Sequence, residues 1–149
     1  MDLNLNGKVI VISGASKGIG RAVALGFARE GANLVLYARN REVLEKVAGE
    51  AQSLGVRVLF LPGDVSRQED VQFVVGEALK TFGQIDVLVN NAAVAKMGRF
   101  GEMHKKDWDL DINIILYGML HNIRAFLIPM ILGNLWVPPL AGRSPTLAC

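Results

Sequence analysis

The stretch Lys8-Val-Ile-Val-Ile-Ser-Gly-Ala-Ser-Lys-Gly-Ile-Gly20 decides the fold of this chain. Val9 to Ile12 form an uninterrupted β-branched run, which is typical of a strand buried on both faces. Three glycines follow, and apolar residues then recur at helical spacing until Gly31 stands where a helix commonly ends. The sequence therefore predicts a strand that leads through a glycine-rich loop into a helix.

The same alternation continues along the chain. Further strands are predicted at residues 34–37, 56–61 and 85–89, and further helices at 43–54, 66–82 and from Asp107 onward. Ser66 and Glu69 have the spacing of a capping box at the start of the third helix, and Pro129 is expected to end or kink the fourth. Strands alternating with helices indicate βαβ units, so we predict an α/β fold: a Rossmann-like, doubly wound parallel sheet, incomplete, with four recognisable strands.

Composition narrows the class of protein. A length of 149 residues allows one domain, and 51% hydrophobic with 20% charged residues excludes a disordered chain. The net charge of +2 is scattered, so no nucleic-acid partner and no anionic membrane surface are expected. Cys149 is the only cysteine, so no metal site is expected. The N-terminus does not have the pattern of a secretory signal, and we expect the protein in a reducing cytoplasm.

Charge is unevenly distributed along the chain. After Asp111 the only charged residues are Arg124 and Arg143, and residues 125–142 carry none. Prolines and a glycine interrupt this uncharged segment, which argues against a membrane span. We expect residues 1–130 to form a dinucleotide-binding unit and residues 131–149 to be an aberrant or truncated tail.

The glycine-rich loop has the chemistry of a phosphate site. Gly14, Gly18 and Gly20 let the backbone turn tightly and let an anion approach the free amides at the start of the following helix. A glycine-rich loop alone also serves ordinary turns, but the strand before it and the helix after it favour a dinucleotide. The spacing is G-x-x-x-G-x-G, which differs from the usual G-x-G-x-x-G.

Four ordered motifs resemble the short-chain dehydrogenase/reductase family. They are the loop at Ser13–Gly20, with serine in place of a threonine; Asp64-Val65; Asn90-Asn91-Ala92-Ala93, with alanine in place of a glycine; and Asn113 in the apolar helix. The resemblance implies that Asp64-Val65 holds the adenine and that the asparagine segment lines the coenzyme ribose and braces the sheet. Together with Arg39, which is chosen on its charge, the candidate coenzyme-binding residues are Gly14, Ser16, Lys17, Gly18, Ile19, Gly20, Asp64, Val65, Asn90, Asn91 and Ala92.

The end of the second predicted strand bears on which nicotinamide coenzyme binds. NAD is usually held by an acidic residue on its ribose and NADP by a basic one on its 2′-phosphate. No aspartate occurs between Asp2 and Asp64, whereas Arg39 follows the strand and Lys17 lies in the loop. NADP(H) is therefore favoured over NAD(H); the alternative is an arginine that simply faces solvent at a strand end.

Part of the chemistry that the resemblance implies is missing. The family transfers a hydride between the nicotinamide and a carbonyl or alcohol carbon with a serine and a Tyr-x-x-x-Lys pair, and this sequence contains no such pair. Asn113 is the one residue of the family's catalytic set present. Tyr117 and His121 fit a core position and a helix face better than a catalytic pair. Two hypotheses stay open: an NADP(H)-dependent oxidoreductase present as its coenzyme-binding half, or an inactive nucleotide-binding or interaction module, either one forming homo-oligomers or prone to aggregation.

Overall fold

The computed structural model of the chain describes residues 3–94 and 99–133. In chain order the strands and helices are β1 (Val9–Ser13), α1 (Gly18–Arg29), β2 (Asn33–Ala38), α2 (Arg41–Gln52), β3 (Val58–Pro62), α3 (Gln68–Phe82), β4 (Val87–Val89), α4 (Lys105–Asp111) and α5 (Gly118–Leu132). A short 3-10 turn, Phe100–Glu102, precedes α4, and a π-helical turn, Ile112–Tyr117, joins α4 to α5. Of the predicted tail, only residues 131–133 lie within the described part.

The four strands form one parallel sheet in the order β3-β2-β1-β4. The chain builds outward from β1 to β3 and then crosses back to place β4 on the other side of β1. Loops after β1 and β4 therefore diverge at the carboxyl ends of these two strands, and such a switch point is where open α/β sheets bind ligands. The prediction of a Rossmann-like parallel sheet is confirmed.

Alternate residues of β1 enter two different cores because side chains on a strand point to opposite faces. Ile10 and Ile12 pack with the buried residues of α1 and α2. Val9 and Val11 pack with those of α3 and with Phe126 of α5. The whole of β1 is buried, which explains why its sequence reads as a continuous apolar run.

The predicted cap at Ser66 is wrong, and of the end or kink predicted at Pro129, the end is wrong. Ser66 does not cap α3, because its hydroxyl donates to Asp64 Oδ1 (2.7 Å) and the helix begins at Gln68. Pro129 does not end the last helix, which continues to Leu132. A proline inside a helix costs about 3 kcal/mol, and we attribute the continuation to the burial of Pro129 and to the packing of Phe126 in the core with β1.

Candidate functional site

A groove of about 730 Å³, called the main groove below, opens at the carboxyl ends of the strands. Such a volume is typical of small-molecule sites. Eleven of the thirteen predicted site residues line it: Gly14, Ser16, Lys17, Gly18, Ile19, Gly20, Arg39, Asp64, Val65, Asn91 and Ala92. Six residues outside that set of thirteen also line it, of which Ala93 belongs to the predicted asparagine segment: Tyr37, Ala38, Asn40, Gly63, Ala93 and Ile114.

The glycine loop passes so close to β4 that side chains are excluded from two of its positions. A Cβ on Gly14 would lie 2.8 Å from Ala92 Cα, and one on Gly20 would lie 2.6 Å from Asn91 Nδ2. Gly18 is different: its φ of +56° suits glycine, but no described atom lies within 4 Å of where its Cβ would be. Gly14 and Gly20 therefore serve close packing, whereas Gly18 leaves open space at the groove.

The start of α1 presents backbone donors to this space. Its N-cap residue, Lys17, makes no side-chain capping hydrogen bond, and the first turn contains no acidic residue. The first amides of a helix have no intrahelical acceptor, and the helix dipole adds positive potential there. The donor set therefore fits an anionic group such as a phosphate.

Ser13 holds the loop and β4 together with its one hydroxyl. The Oγ atom accepts from the backbone amides of Asn91 (3.0 Å) and Ala92 (3.1 Å) and donates to the carbonyl of Val89 (3.3 Å). Asn91 Nδ2 returns two bonds, to the carbonyls of Ser13 (3.1 Å) and Gly14 (3.2 Å). The asparagine segment predicted to brace the sheet thus contacts the loop directly.

Replacing Ser13 by alanine is expected to lower the free energy of unfolding by about 2 kcal/mol, because two amides of the Asn91 segment lose their acceptor in a buried place. Urea unfolding measures this loss. Ser53→Ala is the matched control, since that hydroxyl is exposed and bonds only the Glu50 carbonyl, so we expect a few tenths of a kcal/mol. Equal losses in the two variants would contradict the bracing role of Ser13.

Positive charge lies at the β2 side of the main groove and in the loop. Arg39 and Lys17 are both exposed, and neither forms an ion pair with an acidic residue among those described. The side-chain oxygen of the neighbouring Asn40 is already hydrogen-bonded, because it caps α2 by accepting from the amide of Val43 (3.0 Å). The two cations are therefore free to contact an anion in the groove.

Asp64 and Val65 form the floor of the main groove between β3 and α3. Asp64 Oδ1 accepts from the amide (2.9 Å) and hydroxyl (2.7 Å) of Ser66, and its own amide donates to Asp70 Oδ2 (2.9 Å). The carbonyl of Val65 is bonded to His121 Nδ1 (3.0 Å). These contacts hold the Asp64 loop to both α3 and α5.

A second, smaller cavity of about 150 Å³, called the inner cavity below, adjoins the main groove. The two share Val65, Asn91, Ala92 and Ala93. Of the remaining predicted site residues, Asn90 lines the inner cavity, whereas Asn113 lies on the exposed side of the π-helical turn and lines neither cavity. The catalytic role of Asn113 stays a prediction.

A buried polar pair was missed by the sequence analysis. Tyr37 and Asn122 are fully buried, and the Tyr37 hydroxyl donates to Asn122 Oδ1. Burial raises the pKa of Tyr37 far above its ordinary value, and the Asn122 and Ser13 side chains beside it offset only part of this effect. The available signal was Asn122 itself, a polar residue within the apolar stripe that runs through Ile114, Gly118 and Phe126.

In residues 3–94 and 99–133, no three histidine, cysteine, aspartate or glutamate side chains lie close enough together to hold a metal ion.

Comparison with known proteins extends the likeness over most of the chain. A family model described as short chain dehydrogenase matches residues 8–134. The oxidoreductase UcpA of Salmonella typhimurium is 42% identical over 127 residues, which are 85% of this chain and 48% of that protein. The chain spans about half the length of the curated relatives it matches.

Two solved structures have the same fold with bound nicotinamide coenzymes. A short chain dehydrogenase/reductase from Burkholderia phymatum in complex with NAD has a TM-score of 0.81 at 34% identity, covering 85% of this chain and 45% of that one. An alcohol dehydrogenase from the archaeon Thermococcus sibiricus, complexed with 5-hydroxy-NADP, has a TM-score of 0.80 at 39% identity, covering 84% and 54%. Together with the sheet order and the glycine loop, these matches show that the chain belongs to the short-chain dehydrogenase/reductase family.

Proposed function

We propose that residues 1–130 bind NADP(H) and that the chain is the coenzyme-binding half of an NADP(H)-dependent short-chain dehydrogenase/reductase. When bound, the nicotinamide supplies or accepts the hydride that converts a small carbonyl compound into an alcohol or the reverse. The observation that carries the proposal is that one groove combines the first amides of α1 with two cations, Arg39 and Lys17, that form no ion pair within residues 3–94 and 99–133.

The order of groups along the sheet matches the order of groups in the coenzyme. Arg39 follows β2, the glycine loop follows β1, and Asn91 follows β4. A 2′-phosphate at Arg39 and a pyrophosphate at the loop leave the nicotinamide half to lie toward β4. Adjacent strands are about 4.8 Å apart, so this path crosses roughly 10 Å of sheet.

The preference for NADP(H) over NAD(H) rests on charge at the end of β2. Ala38, which lines the main groove, has no carboxylate to accept from the ribose hydroxyls. The nearest acidic residue, Glu42, lies in α2 and does not line the groove. Arg39 can bind a phosphate through two parallel N–H···O bonds, which favours the phosphorylated coenzyme.

A second candidate function, an inactive nucleotide-binding or interaction module, is favoured by the absence of a Tyr-x-x-x-Lys pair from residues 1–149. His121, four residues after Tyr117, is engaged by the Val65 carbonyl. Asn113 is then the only member of the family's catalytic set in this sequence.

Calorimetric titration with NADPH and NADH, followed by assays with a panel of carbonyl compounds and alcohols, tests both functions. We expect NADPH to bind more tightly than NADH and no turnover to occur with this chain alone. If neither coenzyme binds, the proposed function is wrong. Steady NADPH oxidation that Asn113→Ala abolishes would instead establish this chain as a complete enzyme and remove the second candidate.

The continuous helical segment Lys105–Leu132, which comprises α4, the π-helical turn and α5, provides evidence on what the protein associates with. By length and composition it could cross a membrane, with 28% of its most apolar window buried. Because one side of it packs on the sheet through Ile114 and Phe126, we infer that its exposed apolar residues contact a second copy and not lipid. Sedimentation velocity of the protein over a range of concentrations should then show concentration-dependent association, whereas a monomer at all concentrations would contradict this inference.

We place the protein in the reducing cytoplasm, consistent with its single cysteine.

A further inference from the structure

Three side chains joined by hydrogen bonds extend from β2 through α5 to the end of β4. The Tyr37 hydroxyl donates to Asn122 Oδ1, and Asn122 Nδ2 donates to Asn90 Oδ1 (2.7 Å). Tyr37 and Asn122 are buried, whereas Asn90 is exposed and lines the inner cavity. We call this chain the Tyr37–Asn122–Asn90 relay.

The direction of the relay is set by the neighbouring Ser13. A serine hydroxyl has one proton and two acceptor sites. In Ser13 the proton goes to the Val89 carbonyl and both acceptor sites are taken by the amides of Asn91 and Ala92. Ser13 therefore cannot accept the proton of the Tyr37 hydroxyl, which is left to Asn122 Oδ1.

The orientation of both carboxamides follows from this first bond. With its oxygen toward Tyr37, Asn122 turns its Nδ2 toward Asn90, and Asn90 must meet it with its oxygen. The Nδ2 group of Asn90 then points away from the relay and has no acceptor among the residues that the structure describes. The relay thus leaves a hydrogen-bond donor, and not an acceptor, at the inner cavity.

We propose that Tyr37 and Asn122 are positioning residues that hold the Asn90 carboxamide as a donor for an oxygen atom on the nicotinamide riboside half of the coenzyme. This inference rests on the proposed function, which directs that half of the coenzyme toward β4. The oxygen is a ribose hydroxyl or the carboxamide carbonyl, both of which accept a hydrogen bond. Neither positioning residue needs to contact the coenzyme for this effect.

The test compares two ligands that differ in the half that the relay would contact. NADPH has both halves, whereas 2′,5′-ADP has only the phosphorylated adenosine. The test variant is the double substitution Tyr37→Phe and Asn122→Leu, which removes the relay without leaving either buried polar partner unsatisfied. We expect the loss of affinity to be about tenfold larger for NADPH than for 2′,5′-ADP, so that any effect of Tyr37 as a lining residue of the main groove cancels in the ratio. Unchanged affinities for both ligands, or equal losses for both, would overturn the inference.

A measurement on the unmodified protein covers the case in which the double variant does not fold. In ¹⁵N-labelled protein the Asn90 side-chain NH₂ signals, identified by their loss in Asn90→Asp, should shift on addition of NADPH and stay in place with 2′,5′-ADP. Signals that NADPH leaves unmoved would refute the donor role. If the wild-type chain binds neither ligand, the proposed function fails and this inference with it; if it binds both and the relay has no effect, only this inference fails.

Discussion

Arg39→Asp should raise the dissociation constant of NADPH about 100-fold and bring that of NADH to or below it. The substitution removes a guanidinium that can hold a 2′-phosphate through charge-assisted bonds, and each such bond is worth about 1.5–3 kcal/mol. It also places a carboxylate at the end of β2, where an acidic residue can accept from the unphosphorylated ribose. Because Arg39 is exposed and makes no ion pair within the described part of the chain, the free energy of unfolding should hardly change.

A matched control lies two residues further along the chain. Arg41→Asp makes the same change in charge, but Arg41 does not line the main groove, and its guanidinium lies over the Phe60 ring, 5.9 Å from the ring centre. We expect less than a threefold change in NADPH affinity for this control. Equal effects of the two substitutions would mean that only the overall charge matters and that Arg39 does not hold the phosphate. Both dissociation constants can be measured by titration calorimetry.

Gly20→Ala is expected to have the second large effect, on stability and coenzyme binding together. The added methyl group would overlap the Gly14 carbonyl and lie 2.6 Å from Asn91 Nδ2, which itself bonds that carbonyl. Overpacking of this kind typically costs about 1–3 kcal/mol. Because relief requires α1 to move away from the loop, NADPH affinity should also fall at least tenfold.

Gly26→Ala provides the control within the same helix. No described atom lies within 4 Å of where a Gly26 Cβ would be. Alanine there should therefore raise the free energy of unfolding by about 0.5–1 kcal/mol through its higher helix propensity, and it should leave NADPH binding unchanged. Urea unfolding and calorimetry of both variants check the pair. A Gly20→Ala protein as stable and as tightly binding as Gly26→Ala would contradict the close approach of α1, the loop and β4.

Local patterns along the chain were sufficient to predict the sheet and most of the main groove. The apolar run of β1 predicts a buried strand, and the glycines after it predict a tight loop before a helix. Both predictions use only the types and spacing of residues that are close in sequence. Arg39 was singled out from its place directly after the second predicted strand, where a basic residue favours a 2′-phosphate and an acidic one a free ribose. In the structure these residues line one groove, and their role in binding a coenzyme stays a prediction.

Two local predictions failed, and each failed for a different physical reason. Pro129 is a helix breaker by its covalent structure, yet α5 runs past it with Pro129 buried. The serine at position 66 suits an N-cap, yet its hydroxyl bonds Asp64 instead. At Pro129 the burial of the helix in the core decides the outcome, whereas at Ser66 a competing hydrogen bond to a residue only two positions earlier does.

What the amino-acid order dictated, then, is the succession of strands and helices and the glycine-rich loop between β1 and α1, because period, turn residues and charge act over a few positions. Three-dimensional packing decided the direction in which the Asn90 carboxamide points. That direction depends on Tyr37 meeting Asn122 across 85 residues and on Ser13 meeting Asn91 across 78. Hydrogen bonds between such distant residues exist only once the sheet has brought β1, β2 and β4 together against α5, so no spacing rule along the chain could predict them.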